Sequence, residues 1–263
     1  MTEWNAAAYD RVDGLQQAMA GEVLGRLRLH GAERVLDVGC GEGKISAAVA
    51  ERVPAGSVLG VDASRAMIDF ATRRFAASHP NLSFAVADAR RLGYREAFDE
   101  VISFNALHWV QEQDLALRGI RDALTPGGRA HLRLVSLGPR QSLEAVIEAT
   151  AHGPRWSAAF RDAPCPYRHL EPDAYAALAA RAGLAVESVA RADHCWNFSS
   201  ADGFRRFAQV TFVEWTRRLP AADRADFIDD VLAAYRPIAG DRPGEEHCFR
   251  FYQMDVVLRR PPR

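Results

Sequence analysis

In the stretch VLDVGCGEGK, residues 35–44, Asp37 stands just ahead of Gly39, Gly41 and Gly43. Closely spaced glycines let the backbone turn sharply between a strand and a helix, where free N–H groups point at a ligand. Such turns mostly cradle phosphates, which a carboxylate repels. Two phosphate-binding turns also fail on spacing. A Walker loop needs a glycine five positions before Gly43-Lys44 and a hydroxyl residue after it, but Val38 and Ile45 stand there. A dinucleotide fingerprint needs its third glycine where Lys44 falls. Asp37 suits instead a ligand with a positively charged amino group, since opposite charges attract.

More residues able to bind follow in order. Asp62, with Ala63 after it, can accept both hydroxyl protons of a ribose. Met67, one helical turn on, suits packing of its polarizable sulfur on a base. Asp88, followed by Ala89, can accept an exocyclic amino proton, and Asn105 comes at the next interval, with His108 and Trp109 closing the run NALHW. Each alone has a structural explanation as a helix cap or a core residue. Together they describe a ligand with a nucleoside at one end and an ammonium at the other.

The elements that must position these residues alternate along the chain. Leu15, Met19, Val23, Leu24 and Leu27 recur at helical spacing and predict an amphipathic helix over 14–29. Strands are expected in ERVLDVG, SVLGVDA, NLSFAVADA, AFDEVISFNALHW and RAHLRLVS. Helices are expected in KISAAVAERV, SRAMIDFATRRFAASH and DLALRGIRDALTPGG, the last closed by Pro126, Gly127 and Gly128. Apolar runs without clean alternation suit strands covered on both faces, so the pattern is a doubly wound, Rossmann-like α/β sheet. The acids then sit at the carboxyl ends of its strands, where open α/β sheets bind ligands.

Beyond Val135 an interrupted helical stretch (141–161) and the loop APCPYRHLEP precede a helix, DAYAALAARAGL, and a strand, AVESVARADHCWNF. Two helical stretches, SADGFRRFAQVTFVEWTRRL and ADRADFIDDVLAAY, lead to a final strand, CFRFYQMDVVLRR. No linker separates independent units. The expectation is one domain, 1–263, with an N-terminal helical cap at 1–30 and helical lid insertions at about 139–170 and 199–240.

The motif D-x-G-x-G-x-G at 37–43, with Asp62, Asp88 and Asn105 at successive strand ends, resembles class I S-adenosylmethionine-dependent methyltransferases over residues 4–135. That resemblance implies a seven-stranded sheet of order 3-2-1-4-5-7-6 with the last strand antiparallel. It also implies S-adenosyl-L-methionine as cofactor, on Asp37, Gly39, Gly41, Asp62, Ala63, Met67, Asp88, Ala89 and Asn105. The opening EWNAAAYDRV resembles trans-aconitate methyltransferases, and SFNALHWVQEQDLAL with YDRVDGLQ resembles juvenile hormone acid methyltransferases. Both families methylate carboxylates. By that resemblance Tyr9 shields the sulfonium, while Gln16 and Trp109 donate hydrogen bonds to the acceptor carboxylate. The C-terminal half departs from both families, which leaves the identity of the acceptor open.

A carboxylate is ionised at neutral pH and needs no general base, so O-methylation of a small carboxylic acid requires chiefly positioning in a dry pocket. A phenol, amine or carbon acid would need a base, and His108 is the nearest candidate by sequence. The alternatives are therefore an N-, C- or phenolic O-methyltransferase, or a cofactor-binding cyclase or rearrangement protein that transfers no methyl. Within the insertions, Trp156, Phe160, Tyr167, Trp196, Phe207, Phe212 and Trp215 are candidates to line an apolar acceptor pocket.

Other functions lose ground on composition. Lys plus Arg (33) nearly balances Asp plus Glu (34), and no Pro-Pro-aromatic follows Asn105, which disfavours nucleic acid and favours a small-molecule acceptor. No apolar run approaches the roughly 20 residues of a membrane span. Cys40, Cys165, Cys195 and Cys248 are scattered and no signal peptide precedes them, so a cytoplasmic setting is expected. His194-Cys195 and His247-Cys248 are adjacent pairs whose side chains would face opposite ways in strands, so no metal site is expected. Nothing in the sequence sets the oligomeric state.

Overall fold

The computed structural model describes residues 21–240 and 244–263. Its strands are β1 (Arg34–Val38), β2 (Ser57–Asp62), β3 (Leu82–Val86), β4 (Phe98–Phe104), β5 (Leu124–Val135), β6 (Ala185–Asn197) and β7 (Cys248–Arg259). They form a single sheet of order β3-β2-β1-β4-β5-β7-β6. The first five run parallel to one another. β7 is antiparallel to both β5 and β6.

Helices α1 (Lys44–Arg52), α2 (Arg65–Phe75) and α3 (Gln113–Ala123) follow β1, β2 and β4. Between β5 and β6 come α4 (Leu143–Ala151), α5 (Ser157–Phe160) and α6 (Pro172–Arg181). Between β6 and β7 come α7 (Ala201–Thr211), α8 (Val213–Thr216) and α9 (Arg224–Ala239). Residues 21–26 are also helical, and no helix of the described residues is long and apolar enough to cross a membrane.

Val35 to Val38 of β1 are all buried, the signature of a strand covered on both faces. One face packs Leu36, Val38 and Val101 with Leu117 and Ile120 of α3 and Tyr175 and Leu178 of α6. On the other, Val35, Val58 and Ile102 meet Val49 and Ala50 of α1. A third cluster joins α4, α5, α7, α8 and α9 to Phe249 and Phe251 of β7 through stacked and edge-on aromatics. This helical layer is therefore held by its own apolar core.

Two local expectations are corrected. Pro126, Gly127 and Gly128 do not close a helix: α3 ends at Ala123 and the three residues fall within β5. The pairing jumps there from Phe98↔Leu124 to Glu100↔Arg129, so the segment bulges out of the ladder. A Cβ on Gly128 would lie 2.9 Å from the Asp99 carbonyl oxygen, which explains the glycine at this bulge. The stretch 200–219 is likewise two helices, broken at Phe212.

Candidate functional site

The glycine turn is built by β1, β2 and β4 together. Gly39 and Cys40 both donate N–H to the Val61 carbonyl, at 2.7 and 3.0 Å, folding the chain back over the end of β2. Gly39 has φ +78°, and a Cβ there would lie 2.1 Å from the Ala106 Cβ. The turns after β1 and β4 thus touch at a point where only glycine fits. Gly43, also left-handed, caps α1 without any side-chain bond.

Asp37 is buried at the end of β1 and accepts the Ser46 hydroxyl at 2.6 Å. Burial pushes its carboxyl up to about 7 against the lowering effect of Ser46, and the charges of Asp62 and Glu42 push the same way. Asp62 accepts the Gly41 N–H at 3.0 Å on one oxygen and the Ser64 N–H at 2.8 Å on the other. Its carboxylate therefore fixes the glycine turn and the start of α2 at once. Buried Met67 sits in the first turn of α2, its N–H received by the Ser64 hydroxyl.

Asp88 caps the turn at 89–91 and is gripped by the Arg90 guanidinium at 2.7 Å, which holds its carboxyl below the usual range. Asn105 has φ +56°. Its N–H donates to the Arg133 carbonyl at 2.7 Å, and its Oδ1 accepts from Gln253 of β7 at 2.8 Å.

Asp37, Gly39, Gly41, Asp62, Ala63, Met67, Asp88, Ala89, Asn105 and Trp109 all border one cleft of about 780 Å³. His108 is not part of its wall. Its ring is buried, its Nδ1 accepts the Val135 N–H at 3.4 Å, and burial together with the neighbouring His169 keeps its pKa well below the usual histidine value. Tyr9 and Gln16 lie outside the described residues. No group of three or more His, Cys, Asp or Glu among the described residues could hold a metal ion.

A family profile described as a methyltransferase domain matches residues 35–128, the segment that carries the glycine turn and the strand-end acids. A trans-aconitate 2-methyltransferase of Methylobacterium radiotolerans is 29% identical and the alignment covers 99% of each chain. The chain is an S-adenosylmethionine-dependent methyltransferase. Among solved structures, the YcgJ protein of Bacillus subtilis superposes with a TM-score of 0.68 at 20% identity, covering 94% of this chain and 100% of the other. The [4+2]-cyclase SpnF superposes with a TM-score of 0.60 at 23% identity, covering 94% and 81%. At these identities the likeness is one of fold.

The far wall of the methyltransferase's cleft comes from the helical layer. It consists of Pro164, Cys165 and Pro166 with Glu214, Arg217 and Arg218. The 164–168 loop is strapped to the β4 exit. Gln111 donates to the Cys165 and Tyr167 carbonyls at 2.6 and 2.7 Å, and buried Gln113 donates to the Leu107 and Arg168 carbonyls at 3.0 and 2.8 Å.

None of the insertion aromatics expected to line an acceptor pocket borders the cleft. Phe160 stacks on Phe227, and Phe207 packs on Phe249, within the core of the helical layer. The Trp215 indole donates to Glu148 at 2.6 Å. Sequence reasoning missed Ser46, Gln253 and, within the two insertions it singled out, the residues of 164–166 and 214–218 that border the cleft. For Ser46 a signal existed: it lies on the face of α1 that also buries Val49 and Ala50, where a hydroxyl needs a partner.

Proposed function

We propose that this methyltransferase O-methylates a small carboxylic acid. The observation that carries the reading is the absence of an available base on the acceptor wall, as far as the described residues show. His108 is turned into the core. Glu214 is paired with Arg217 at 2.8 Å, and burial raises the Cys165 thiol pKa. An acceptor that is already ionised fits such a wall, whereas a phenol or amine would need its proton removed. The full-length relative is named for trans-aconitate, itself a carboxylic acid, which supports the same reading.

S-adenosylmethionine supplies an electrophilic methyl on a sulfonium. On this chain, Asp37 and the Gly39–Gly41 turn receive the methionine end, Asp62 accepts the ribose hydroxyls, and Met67 with Asp88 and Ala89 holds the adenine. A carboxylate offers about four acceptor positions, so Asp62 can hold two backbone N–H groups and the ribose together. Asn105, oriented by Gln253, closes the methionine end beside the touching turns. Trp109 would offer its indole N–H to the acceptor carboxylate and hold one of its oxygens toward the cofactor's methyl; an acceptor that is already ionised would ask no residue of this chain to remove a proton. The segments at about 139–170 and 199–240 act as the acceptor lid, and residues 1–30 as the N-terminal cap, of one 1–263 domain.

Methyl-labelled cofactor and a panel of small carboxylic acids test this reading. Label should appear in a product that mild alkali cleaves to methanol, with one S-adenosylhomocysteine released per ester. Label confined to alkali-stable products of phenols or amines would overturn it.

A further inference from the structure

Among the described residues three arginines border the cleft, and two of them are neutralised. Arg90 is held by Asp88 at 2.7 Å and by Glu112 at 3.2 Å, and Arg217 by Glu214 at 2.8 Å. Arg218 differs. It is half-buried on the cleft wall, and among the described residues no carboxylate lies within ion-pair distance. Its Nε donates to the backbone carbonyl of Glu214 at 3.3 Å, which orients the guanidinium without cancelling its charge. A half-buried cation without a counter-ion is an arrangement proteins seldom keep unless something anionic completes it.

Its location says what that something is. Arg218 follows α8, whose Trp215 packs edge-on against Trp109 with ring centroids 6.0 Å apart. Arg218 therefore enters the cleft from the helical layer where that layer meets Trp109; of the described carboxylates that border the cleft, Glu214 on the same wall is taken by Arg217 and the others gather around the cofactor residues and Arg90. Resting on the carboxylate reading above, we propose that Arg218 is a specificity-determining residue: it holds a second carboxylate of the acceptor, remote from the one that receives the methyl. The planar guanidinium offers two parallel N–H donors that match a carboxylate. A monoacid would leave that cation half-buried and unpaired, so the site selects diacids over the monoacids that lack the second group.

The test pairs saturated and unsaturated diacids of four to six carbons with the monoacids lacking one carboxylate. It uses the full-length wild type, Arg218→Gln and Arg218→Lys. Two quantities are read: binding of each acid to the S-adenosylhomocysteine complex by calorimetry, and kcat/KM for methyl ester formation. The wild type should prefer diacids by roughly tenfold to a hundredfold, the range expected of charge-assisted hydrogen bonds. Arg218→Gln should lose that preference through weaker diacid binding, Arg218→Lys should keep part of it as a point charge, and affinity for S-adenosylhomocysteine should be the same in all three. A diacid preference unchanged in Arg218→Gln, or a wild type that prefers monoacids, would overturn the assignment while leaving carboxylate methylation intact. A wild type that esterifies no acid of either kind would overturn the carboxylate reading and the assignment with it.

Discussion

The two ends of the cleft, one assigned above to the cofactor and the other to the acceptor, are built by different means. At the cofactor end, Asp37, Asp62, Asp88 and Asn105 stand at or just beyond the ends of four adjacent parallel strands, and backbone bonds hold the turns between them. At the acceptor end, Pro164 to Pro166 and Glu214 to Arg218 come from separate helical segments, placed by an aromatic core and by the side chains of Gln111 and Gln113. The first end is acidic and the second carries an arginine that no carboxylate of the described residues neutralises. A site fixed by backbone geometry constrains residue type at set intervals, whereas one fixed by side-chain packing can drift in sequence as long as volume and polarity are kept. The family profile stops at residue 128, covering the strand-end acids together with Trp109, Gln111 and Gln113 but neither of the two helical segments of the far wall.

Substitutions at the cofactor end should have the largest effects. Gly39→Ala drives a methyl to 2.1 Å from the Ala106 Cβ at a left-handed φ, so the turns after β1 and β4 must separate. Affinity for S-adenosylmethionine should fall by more than about a hundredfold, given the strain of such a position together with the clash. Calorimetry on a variant that keeps its circular dichroism would check this, and near-normal affinity would mean that the two turns need not touch. Next in size, Asp62→Ala should weaken the cofactor by about tenfold to a hundredfold, since hydrogen bonds to charged groups are worth roughly 1.5–3 kcal/mol. An unchanged dissociation constant would remove Asp62 from the ribose site.

Asp37 gives the cofactor end a pH dependence with a definite sign. Its carboxyl titrates near 7 in the unliganded protein because it is buried. An ammonium beside it favours the ionised form, so binding releases a proton from the fraction still protonated. Affinity should be flat above that value and fall as the pH drops below it, approaching tenfold per pH unit. Asp37→Asn should flatten the profile, and should harm binding of the full cofactor more than binding of adenosine. Equal losses for both ligands would reduce Asp37 to a structural partner of Ser46.

The acceptor end should yield smaller effects that leave cofactor affinity alone. Trp109→Phe deletes the indole N–H and keeps much of the ring, and should lower methyl transfer about tenfold as one positioning donor is lost. His108→Gln should change the rate least, with no new pH dependence, because the ring lies outside the cleft wall. A sharp loss in His108→Gln with a normal rate in Trp109→Phe would reverse the two roles and favour a base-assisted acceptor.

The strand order, and the gathering of the strand-end acids on one cleft, were legible because parallel strands buried on both faces are apolar runs, and the loops at their carboxyl ends must carry the polar residues. The place of Trp109 on the cleft wall was legible from its position after the fourth strand, in NALHW. The failures share a cause. Pro126-Gly127-Gly128 read as a loop because proline and glycine punctuate helices, but the bulge at the start of β5 uses the same residues. The aromatics of the insertions read equally well as pocket or core, and only the packing of five helices on one another decides for core. Arg218 resembles any arginine at the end of a helix until the pairing of its neighbours is known. Gln253 orients Asn105 across the sheet from a strand far along the chain, a partnership that no local spacing encodes.

The division of the cleft is tested most directly by a crystal structure of the full chain with S-adenosylhomocysteine and an acid that the enzyme esterifies. The ribose hydroxyls should lie on the Asp62 carboxylate and the amino-acid end at the glycine turn beside Asp37. The acid should sit between Trp109 and the 164–166 and 214–218 walls, with a carboxylate oxygen facing the cofactor sulfur. A ribose away from Asp62, or an acid bound outside the walls supplied by the two helical segments, would contradict it.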